Sequence, residues 1–302
     1  MSVDVLMPFY GRIDHFQQAV ESVRAQTVDD WRLIVVDDVY PDEEAGRWLV
    51  GLGDPRIRYV RNETNLRPSR NYIKAVSLSD AEHVVLMGCD DLMGPRYLER
   101  VRELLATHPD TDILQPGVAV VDGDGAASRP LADRVKDWYR PRGPYPRTLR
   151  GEELAVSLLR GNWTYFPSLV WRRERVARIG FRTDLDVVQD LAMLFAISAE
   201  GGTLLVDDQT VFFYRRHAAS YSAVTGPDGS KFAQERTAFR EAATTSESLW
   251  WPRAARAARW HLSSRLHALS ALPRARDAAS RRSLAEHVLR HWASSAPTDA
   301  HL

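Results

Sequence analysis

Two adjacent carboxylates, Asp90 and Asp91, directly follow Cys89 at the end of an apolar run, His83 to Met87, that predicts a buried strand. Neighbouring carboxylates at the end of such a strand repel each other and lose hydration, so a cation is expected to offset them. Mg²⁺ and Mn²⁺ favour carboxylate oxygens, which makes a metal site one interpretation of this pair. The other is that one carboxylate caps the following helix or shapes a turn.

Three predicted strands end in residues that could bind a ligand: Val3–Pro8 before Tyr10, Trp31–Val36 before Asp37 and Asp38, and the strand before Asp90. Helical patterns lie between these strands, which predicts an α/β fold with a mostly parallel sheet covered by helices on both faces. Ligands of such sheets bind beyond the carboxyl ends of the strands. The three sets of polar residues are therefore expected to meet in one crevice.

The rest of the chain predicts further elements, with less regular patterns. The helices expected are Ile13 onward, Arg70–Leu78, Arg96–His108, Gly151–Leu159 and Leu191–Ala199; the strands expected are Arg56–Val60, Ile113–Val121, Phe166–Trp171, Thr203–Val206 and Thr210–Tyr214. Residues Lys136 to Arg147 are rich in proline, arginine and aromatics, which favours an irregular loop. Such a loop would be a lid over a site or a linker.

Composition and missing motifs exclude several classes of protein. The 302 residues carry 40 basic and 40 acidic side chains, a balance that argues against a general nucleic-acid binder. One cysteine, Cys89, allows no intrachain disulfide. Neither a Gly-x-Gly-x-x-Gly motif nor a Gly-Lys-Ser/Thr loop follows the first strand, so dinucleotide oxidoreductases and P-loop enzymes are unsupported. No secretory signal or membrane span is evident, and a cytoplasmic protein is expected.

Several motifs, in order and at matching spacing, resemble those of family 2 glycosyltransferases, which have the GT-A fold. They are Val5–Tyr10, Ser22–Thr27, Val35–Asp38, Asp54–Tyr59, Asn65–Leu66, Val84–Asp91, Gly180–Phe181 with Gln189–Asp190, and Tyr214–His217. The resemblance runs from about Val3 to Ser222. It implies a GT-A domain over 1–222, with a nucleotide-sugar-binding half (1–125) and an acceptor and catalytic-base half (148–222), followed by a basic helical extension (223–302).

The resemblance implies an inverting transfer of a sugar from a nucleoside-diphosphate sugar to an acceptor hydroxyl, aided by Mn²⁺ or Mg²⁺. The acceptor would be a glycan, a lipid-linked glycan or a small-molecule glycoside, in cell-envelope or exopolysaccharide biosynthesis. The residue roles it implies are these: Pro8, Tyr10 and Asp38 at the nucleoside base, Asp90 at the ribose and metal, Asp91 as main metal ligand, His217 near the metal or diphosphate, and Asp190 as catalytic base. Arg67 and Arg70 are further candidates for phosphate or base contacts.

The chain departs from the family pattern at several positions. Gly88 replaces the first acid of an Asp-x-Asp motif, Gln189 replaces the glutamate of a Glu-Asp pair, Arg67 replaces a common glycine, and Val39 and Tyr40 replace a Gly-Ser. These leave open an alternative, a non-catalytic nucleotide-sugar-binding protein with the same fold. A nucleotidyltransferase would also use carboxylates and a metal, but its glycine-rich basic signature is absent.

The segment from Trp250 to Trp292 is basic and helical in pattern. Nine arginines face one aspartate and one glutamate, a net charge of +7, and Pro273 is expected to separate two helices. Basic helices with tryptophans suit an anionic membrane surface and a lipid-linked acceptor. The alternative is that these helices pack on the catalytic domain with a solvated arginine face.

Overall fold

A computed structural model describes residues 2–217, 230–271 and 278–293. Its first part alternates strands and helices in chain order: β1 (Val3–Phe9), α1 (Ile13–Arg24), β2 (Arg32–Asp37), α2 (Glu44–Gly51), β3 (Ile57–Arg61), α3 (Arg67–Ser77), β4 (His83–Leu86), β5 (Leu92–Met93), α4 (Tyr97–Thr107) and β6 (Ile113–Val121). Four of these strands form a parallel array in the order β3-β2-β1-β4. The alternation of strands and helices in the sequence predicted this parallel half of the sheet correctly.

The second part adds antiparallel strands to the same sheet. Its elements are α5 (Leu131–Tyr139), β7 (Arg147–Arg150), α6 (Gly151–Arg160), a 3₁₀ turn (Phe166–Ser168), β8 (Val170–Arg172), α7 (Arg173–Ile179), α8 (Gln189–Ala199) and β9 (Thr203–Arg215). Strand β8 runs antiparallel between β4 and β6, and β5 and β7 pair antiparallel with β9, which is parallel to β6. The predicted α/β class is confirmed, as a mixed nine-stranded sheet.

Both faces of the sheet are covered, so its central strands are mostly apolar, with buried polar residues at Asp4, His83 and Gln115. Alternate residues of β1 face opposite sides: Leu6 packs toward α3, α6 and α8, whereas Val5 and Met7 pack toward α1, α2 and α4. The carboxyl ends of β1, β2 and β4 are left at one edge of this layer, where the candidate site lies.

Three predicted elements differ from those in the structure. Residues 131–139 form a helix, so the loop expected from Lys136 to Arg147 is confined to 140–146. The two strands expected at Thr203–Val206 and Thr210–Tyr214 are one strand, because the buried carboxylate of Asp207 between them is paired with Arg100. Residues Phe166–Ser168 form a turn, and only Val170–Arg172 is a strand.

Helix α3 begins at Arg67, three residues earlier than predicted, and Pro68 favours that start.

Four further helices follow in the described ranges: α9 (Ser230–Ser248), α10 (Pro252–Trp260), α11 (Leu262–Ala271) and α12 (Ala278–Ala293). Helix α10 packs against α6, with Ala254 and Ala258 in the same apolar cluster as Leu154. Pro273 and the expected domain boundary at residues 222 and 223 lie outside the described residues. Across the described ranges, every helix is too short or too polar to cross a bilayer.

Candidate active site

The Asp38 carboxylate anchors the loop between β3 and α3. Its Oδ1 accepts hydrogen bonds of 2.7 Å from the Asn62 side chain and from the Leu66 amide, and its Oδ2 accepts one of 2.9 Å from the Arg67 amide. Arg67 has a φ of 65°, the left-handed conformation that favours glycine. The hydrogen bond to Asp38 therefore holds Arg67 in the backbone shape of the glycine it replaces.

The other residues expected at the nucleoside surround this loop. Pro8 lies in β1 opposite Val36, and Tyr10 follows β1 with 56% of its surface exposed, in edge contact with Tyr40 at 5.5 Å between ring centroids. Arg67 and Arg70 are exposed in the first turn of α3. Within the described chain neither guanidinium forms an ion pair, which leaves both available to an anionic ligand.

Asp91 is a buried carboxylate with one unsatisfied oxygen. Its Oδ1 accepts a hydrogen bond of 2.8 Å from the Arg215 amide, but its Oδ2 has no hydrogen-bond partner among the described residues. Burial, followed by the charge of Asp90, raises the pKa of Asp91 well above its ordinary value. A cation placed against Oδ2 would relieve both effects.

Asp90 and His217 lie beside this oxygen. Oδ2 of Asp90 is 2.7 Å from Nε2 of His217. Gly88 has no side chain, and this leaves space for the two carboxylates. A Cβ at this position would lie 2.5 Å from Oδ2 of Asp91 and 2.9 Å from Oδ1 of Asp90. A larger residue at 88 would displace these carboxylates, so the glycine that departs from the family pattern fits the local geometry.

The donor set fits a divalent cation that is held together with a diphosphate. In the described residues, no three His, Cys, Asp or Glu side chains form a complete protein metal site. Mg²⁺-type sites in phosphate-binding proteins use one or two carboxylates and take further oxygens from the phosphates and water. Asp91 and Asp90 supply that pair, with His217 adjacent.

Arg215 and Arg216 hold the site together from inside the protein. Buried Arg215 donates to the carbonyls of Asp90 (2.7 Å) and Gly123 (2.8 Å) and to Gln18 (2.7 Å), while Arg216 forms a bidentate pair with Asp133 at 2.5 and 2.8 Å. Both arginines are therefore bonded to acceptors within the protein.

Asp190 lies in the first turn of α8, as the sequence suggested. Its Oδ2 accepts a hydrogen bond of 2.8 Å from the side-chain amide of Asn162. Burial raises the pKa of Asp190, and the Leu191 amide, the charge of Lys136 and the Asn162 amide oppose this. A raised pKa suits a carboxylate that must remove a proton.

Gln189, beside it, accepts a hydrogen bond of 2.7 Å from Ser69 and ties α8 to α3.

A short network fixes Asn162. Its Oδ1 accepts a hydrogen bond of 2.7 Å from the Thr164 hydroxyl, and the Thr164 carbonyl accepts one of 2.6 Å from Nζ of Lys136. Burial lowers the pKa of Lys136 to about 8, and Asp190 opposes this shift. Sequence reasoning missed Asn162, and it placed Lys136 in a loop.

Tyr72 of α3 lies within electrostatic range of both groups of carboxylates. Burial raises the pKa of its phenol, and the nearby Cys89, Asp90, Asp190 and Asp91 raise it further. The carboxylates after β4 and the Asp190 carboxylate in the first turn of α8 thus all act electrostatically on one buried phenol.

Trp163 and Tyr165 are buried and donate hydrogen bonds to Ser157 and Asp133, so neither ring is exposed for stacking on an acceptor sugar.

Comparison with known proteins identifies similar chains. The model of the glycosyl transferase family 2 matches residues 4–171. The putative colanic acid biosynthesis glycosyl transferase WcaA of Escherichia coli (strain K12) is 26% identical over 223 residues, which are 71% of this chain and 73% of WcaA. Against three other curated relatives, the match covers 15%, 43% and 49% of their length, less than half of each.

Two solved structures share the fold over nearly the whole chain. The crystal structure of S. aureus TarS 1-349 has a TM-score of 0.68 at 14% identity and covers 98% of this chain and 81% of that one. The mannosyltransferase PcManGT from Pyrobaculum calidifontis, solved with GDP-Man and Mn²⁺, has a TM-score of 0.60 at 17% identity, covering 97% and 83%. The GT-A type of fold implied by the sequence motifs is confirmed.

Proposed function

The chain belongs to glycosyl transferase family 2, and we propose that it transfers a sugar from a nucleoside-diphosphate sugar to an acceptor hydroxyl with inversion at the anomeric carbon. The observation that carries the proposal is the buried, unsatisfied Oδ2 of Asp91 beside Asp90. The Asp190 carboxylate, held by Asn162, is the second part of the proposed site. One site suits a cation with a diphosphate, and the other suits a base.

The donor occupies the carboxyl ends of β1, β2 and β4. In this proposal Pro8, Tyr10 and Asp38 with its loop bind the nucleoside, and the exposed Arg67 and Arg70 bind its phosphates. Asp91 and Asp90, with His217 adjacent, would hold Mn²⁺ or Mg²⁺ together with the diphosphate. When bound, that ion supplies Lewis-acid stabilisation of the departing diphosphate; the PcManGT structure contains Mn²⁺ with its donor.

Asp190 activates the acceptor. Asn162 holds Oδ2 of Asp190, and in this proposal Oδ1 accepts the acceptor proton. As the hydroxyl oxygen bonds to the anomeric carbon, its proton passes to Asp190 and the bond from that carbon to the diphosphate oxygen breaks. Attack from the side opposite the diphosphate inverts the configuration. A positioned base contributes about 10²–10⁴ in rate.

The acceptor in this proposal is a carbohydrate or lipid-linked carbohydrate of the cell envelope, and the setting is the cytoplasm at the inner face of the membrane. The name of one relative supports a polysaccharide product: WcaA is a putative colanic acid biosynthesis glycosyl transferase. The abequosyltransferase RfbV of Salmonella typhimurium, 23% identical over 60% of this chain and 56% of its own length, supports sugar transfer.

The test is a panel of nucleotide sugars with Mn²⁺, scored first by thermal stabilisation and then by hydrolysis or transfer, with the product anomer assigned by NMR. Asp190→Asn is expected to keep donor affinity and lose turnover by about 10²–10⁴. Asp184→Asn, an exposed carboxylate in the same region paired with Arg182, is the matched control. Donor binding without turnover in the unmodified protein would instead support the non-catalytic binding protein, and a retained anomer would exclude inversion.

A further inference from the structure

Most exposed large apolar side chains of the described residues belong to α5 or to the C-terminal helices. Among the described residues, thirteen large hydrophobic side chains are exposed, and ten of them lie in α5 or between Trp250 and Trp292. The remaining three are scattered: Tyr10, Val50 and Ile73. Single exposed apolar residues need no explanation, but a contiguous group indicates a binding surface.

Helix α5 presents one apolar stripe outward. Leu131, Val135 and Trp138, at positions i, i+4 and i+7, are 74%, 41% and 70% exposed. Asp133 and Lys136 point inward from the same helix and bond to Arg216 and Thr164. The helix is therefore fixed by its polar side, and its apolar side is left facing solvent, the reverse of an ordinary amphipathic helix.

Helix α11 presents a second stripe with the same spacing. Leu262, Leu266 and Leu269 are all exposed, while Ser264 and Ala268 on the other side of the helix are buried. The stripes come together at a cavity of about 710 Å³ between α5, β7, α6 and α10, because Trp138 and Leu262 both line it. Trp260, more than half exposed, lines it too. The seven side chains from the two stripes and Trp260 form the apolar face.

The cavity at this face is basic. Its lining includes Arg147, Arg160, Arg253 and Arg256, against a single carboxylate, Glu153. Arg147 is paired with Glu153 at 2.6 Å. The other three guanidinium groups form no ion pair within the described ranges. The face therefore needs a partner that supplies anionic groups next to an apolar layer.

A second copy of this chain does not meet that need. A two-fold contact through the apolar face would set the same arginines against one another, and like charges brought together oppose association. An anionic bilayer meets both needs, because tryptophan and leucine enter the headgroup boundary while arginines contact phosphates.

We infer that the apolar face, with its four arginines, docks this protein on a bilayer that contains anionic lipids. The inference is independent of the sugar transfer proposed above, since it concerns a surface formed by α5, α10 and α11 and is tested by binding alone. It resolves the two sequence-based alternatives for the C-terminal segment into one arrangement: α10 packs on α6 and still contributes to an exposed face.

The test is co-sedimentation of the full chain with vesicles of phosphatidylcholine alone or mixed with phosphatidylglycerol. Binding to the mixed vesicles is expected to be at least about tenfold stronger than to neutral ones. The double substitution Trp138→Glu with Leu266→Glu should lower it by at least about tenfold, because both side chains enter the headgroup boundary. Arg253→Glu with Arg256→Glu should remove the preference for the anionic lipid.

Val50→Glu is the matched control, an exposed apolar residue of α2 beside β3 at the opposite edge of the sheet. It should bind as the unmodified chain does, and equal unfolding midpoints show that each variant is folded. Equal binding to both vesicle types, no binding, or undiminished binding by both double variants would overturn the inference. A dimer that Leu266→Glu dissociates, without vesicle binding, would overturn it in favour of a second copy.

Discussion

The side-chain amide of Asn162 donates a hydrogen bond of 2.8 Å to Oδ2 of Asp190, 28 positions further along the chain. Asn162 lies just after α6, and the hydroxyl of Thr164 holds its other amide atom, Oδ1. The amide is thus oriented as a donor, and it leaves one oxygen of Asp190 for an acceptor hydroxyl. Asn162 positions the proposed base without itself needing to touch either substrate.

Asn162→Ala is expected to lower kcat by about tenfold to a hundredfold and to leave the KM of the donor unchanged, because the proposed base loses its orientation but keeps its charge. Steady-state kinetics at saturating acceptor measure both. Ser157→Ala, which removes the nearby hydrogen bond to Trp163, is the control and should retain kcat. Equal losses in the two variants would indicate a general structural effect.

Lys136→Met is expected to move the acidic limb of the pH–rate profile to higher pH. The charge of Lys136 lowers the pKa of Asp190, so its removal lets that pKa rise, and the base is protonated over a wider range. Because the pKa of Lys136 is about 8, the variant and the parent should converge above that pH.

The profile of kcat/KM from pH 5 to 9 measures this shift. Lys136→Arg keeps the charge and should keep the limb near its original position. If the acidic limb of the Lys136→Met profile stays in place or moves to lower pH, the proposed effect of the Lys136 charge on Asp190 is contradicted.

Gly88→Ala is expected to weaken the binding of Mn²⁺ in the presence of nucleoside diphosphate by at least about tenfold, because its Cβ would displace the Asp91 carboxylate. Gly51→Ala is the matched control, since a Cβ there meets nothing within 4 Å. Calorimetric titration of the two variants separates the effects. Unchanged Mn²⁺ affinity in Gly88→Ala would show that the carboxylates at 90 and 91 do not hold the ion.

Asp91→Asn is expected to change stability in opposite directions with and without metal. In the presence of a chelator, replacing the Asp91 carboxylate by an amide removes a buried charge next to Asp90. The unfolding temperature of the variant should therefore rise. With Mn²⁺ and diphosphate the unfolding temperature of the parent should rise by several degrees. A ligand present at a hundred times its Kd stabilises the folded protein by about 2.7 kcal/mol. The variant should lose that gain. Differential scanning calorimetry measures both, and an equal gain in the variant would remove Asp91 from the site.

The sequence located the residues that end strands and missed those placed by tertiary packing. Asp38, Asp90 and Asp91 could be predicted because the carboxyl ends of neighbouring parallel strands must lie together. The position of Lys136 could not be predicted. The local sequence shows the apolar positions of its helix, such as Trp138, but it does not show that the polar side of the helix faces inward. Nothing near Asn162 in the sequence indicates Asp190, because the contact depends on how α6 and α8 pack.

Arg67→Gly is expected to raise stability and weaken donor binding together. The φ of 65° at Arg67 disfavours any side chain, so glycine should relieve up to about 1 kcal/mol. The amide that bonds to Asp38 remains, but the exposed guanidinium proposed to reach the donor phosphates is lost, so the KM of the donor should rise by about tenfold.

Val39→Gly is its matched control, because Val39 has a φ of 62° and carries no charge. It should gain stability in urea unfolding while the KM of the donor stays the same. If both variants changed KM equally, the loop geometry rather than the guanidinium would govern donor binding. If Arg67→Gly left KM unchanged, Arg67 would have no contact with the donor, and Arg70, one turn along α3, would be the remaining cation on that side of the crevice.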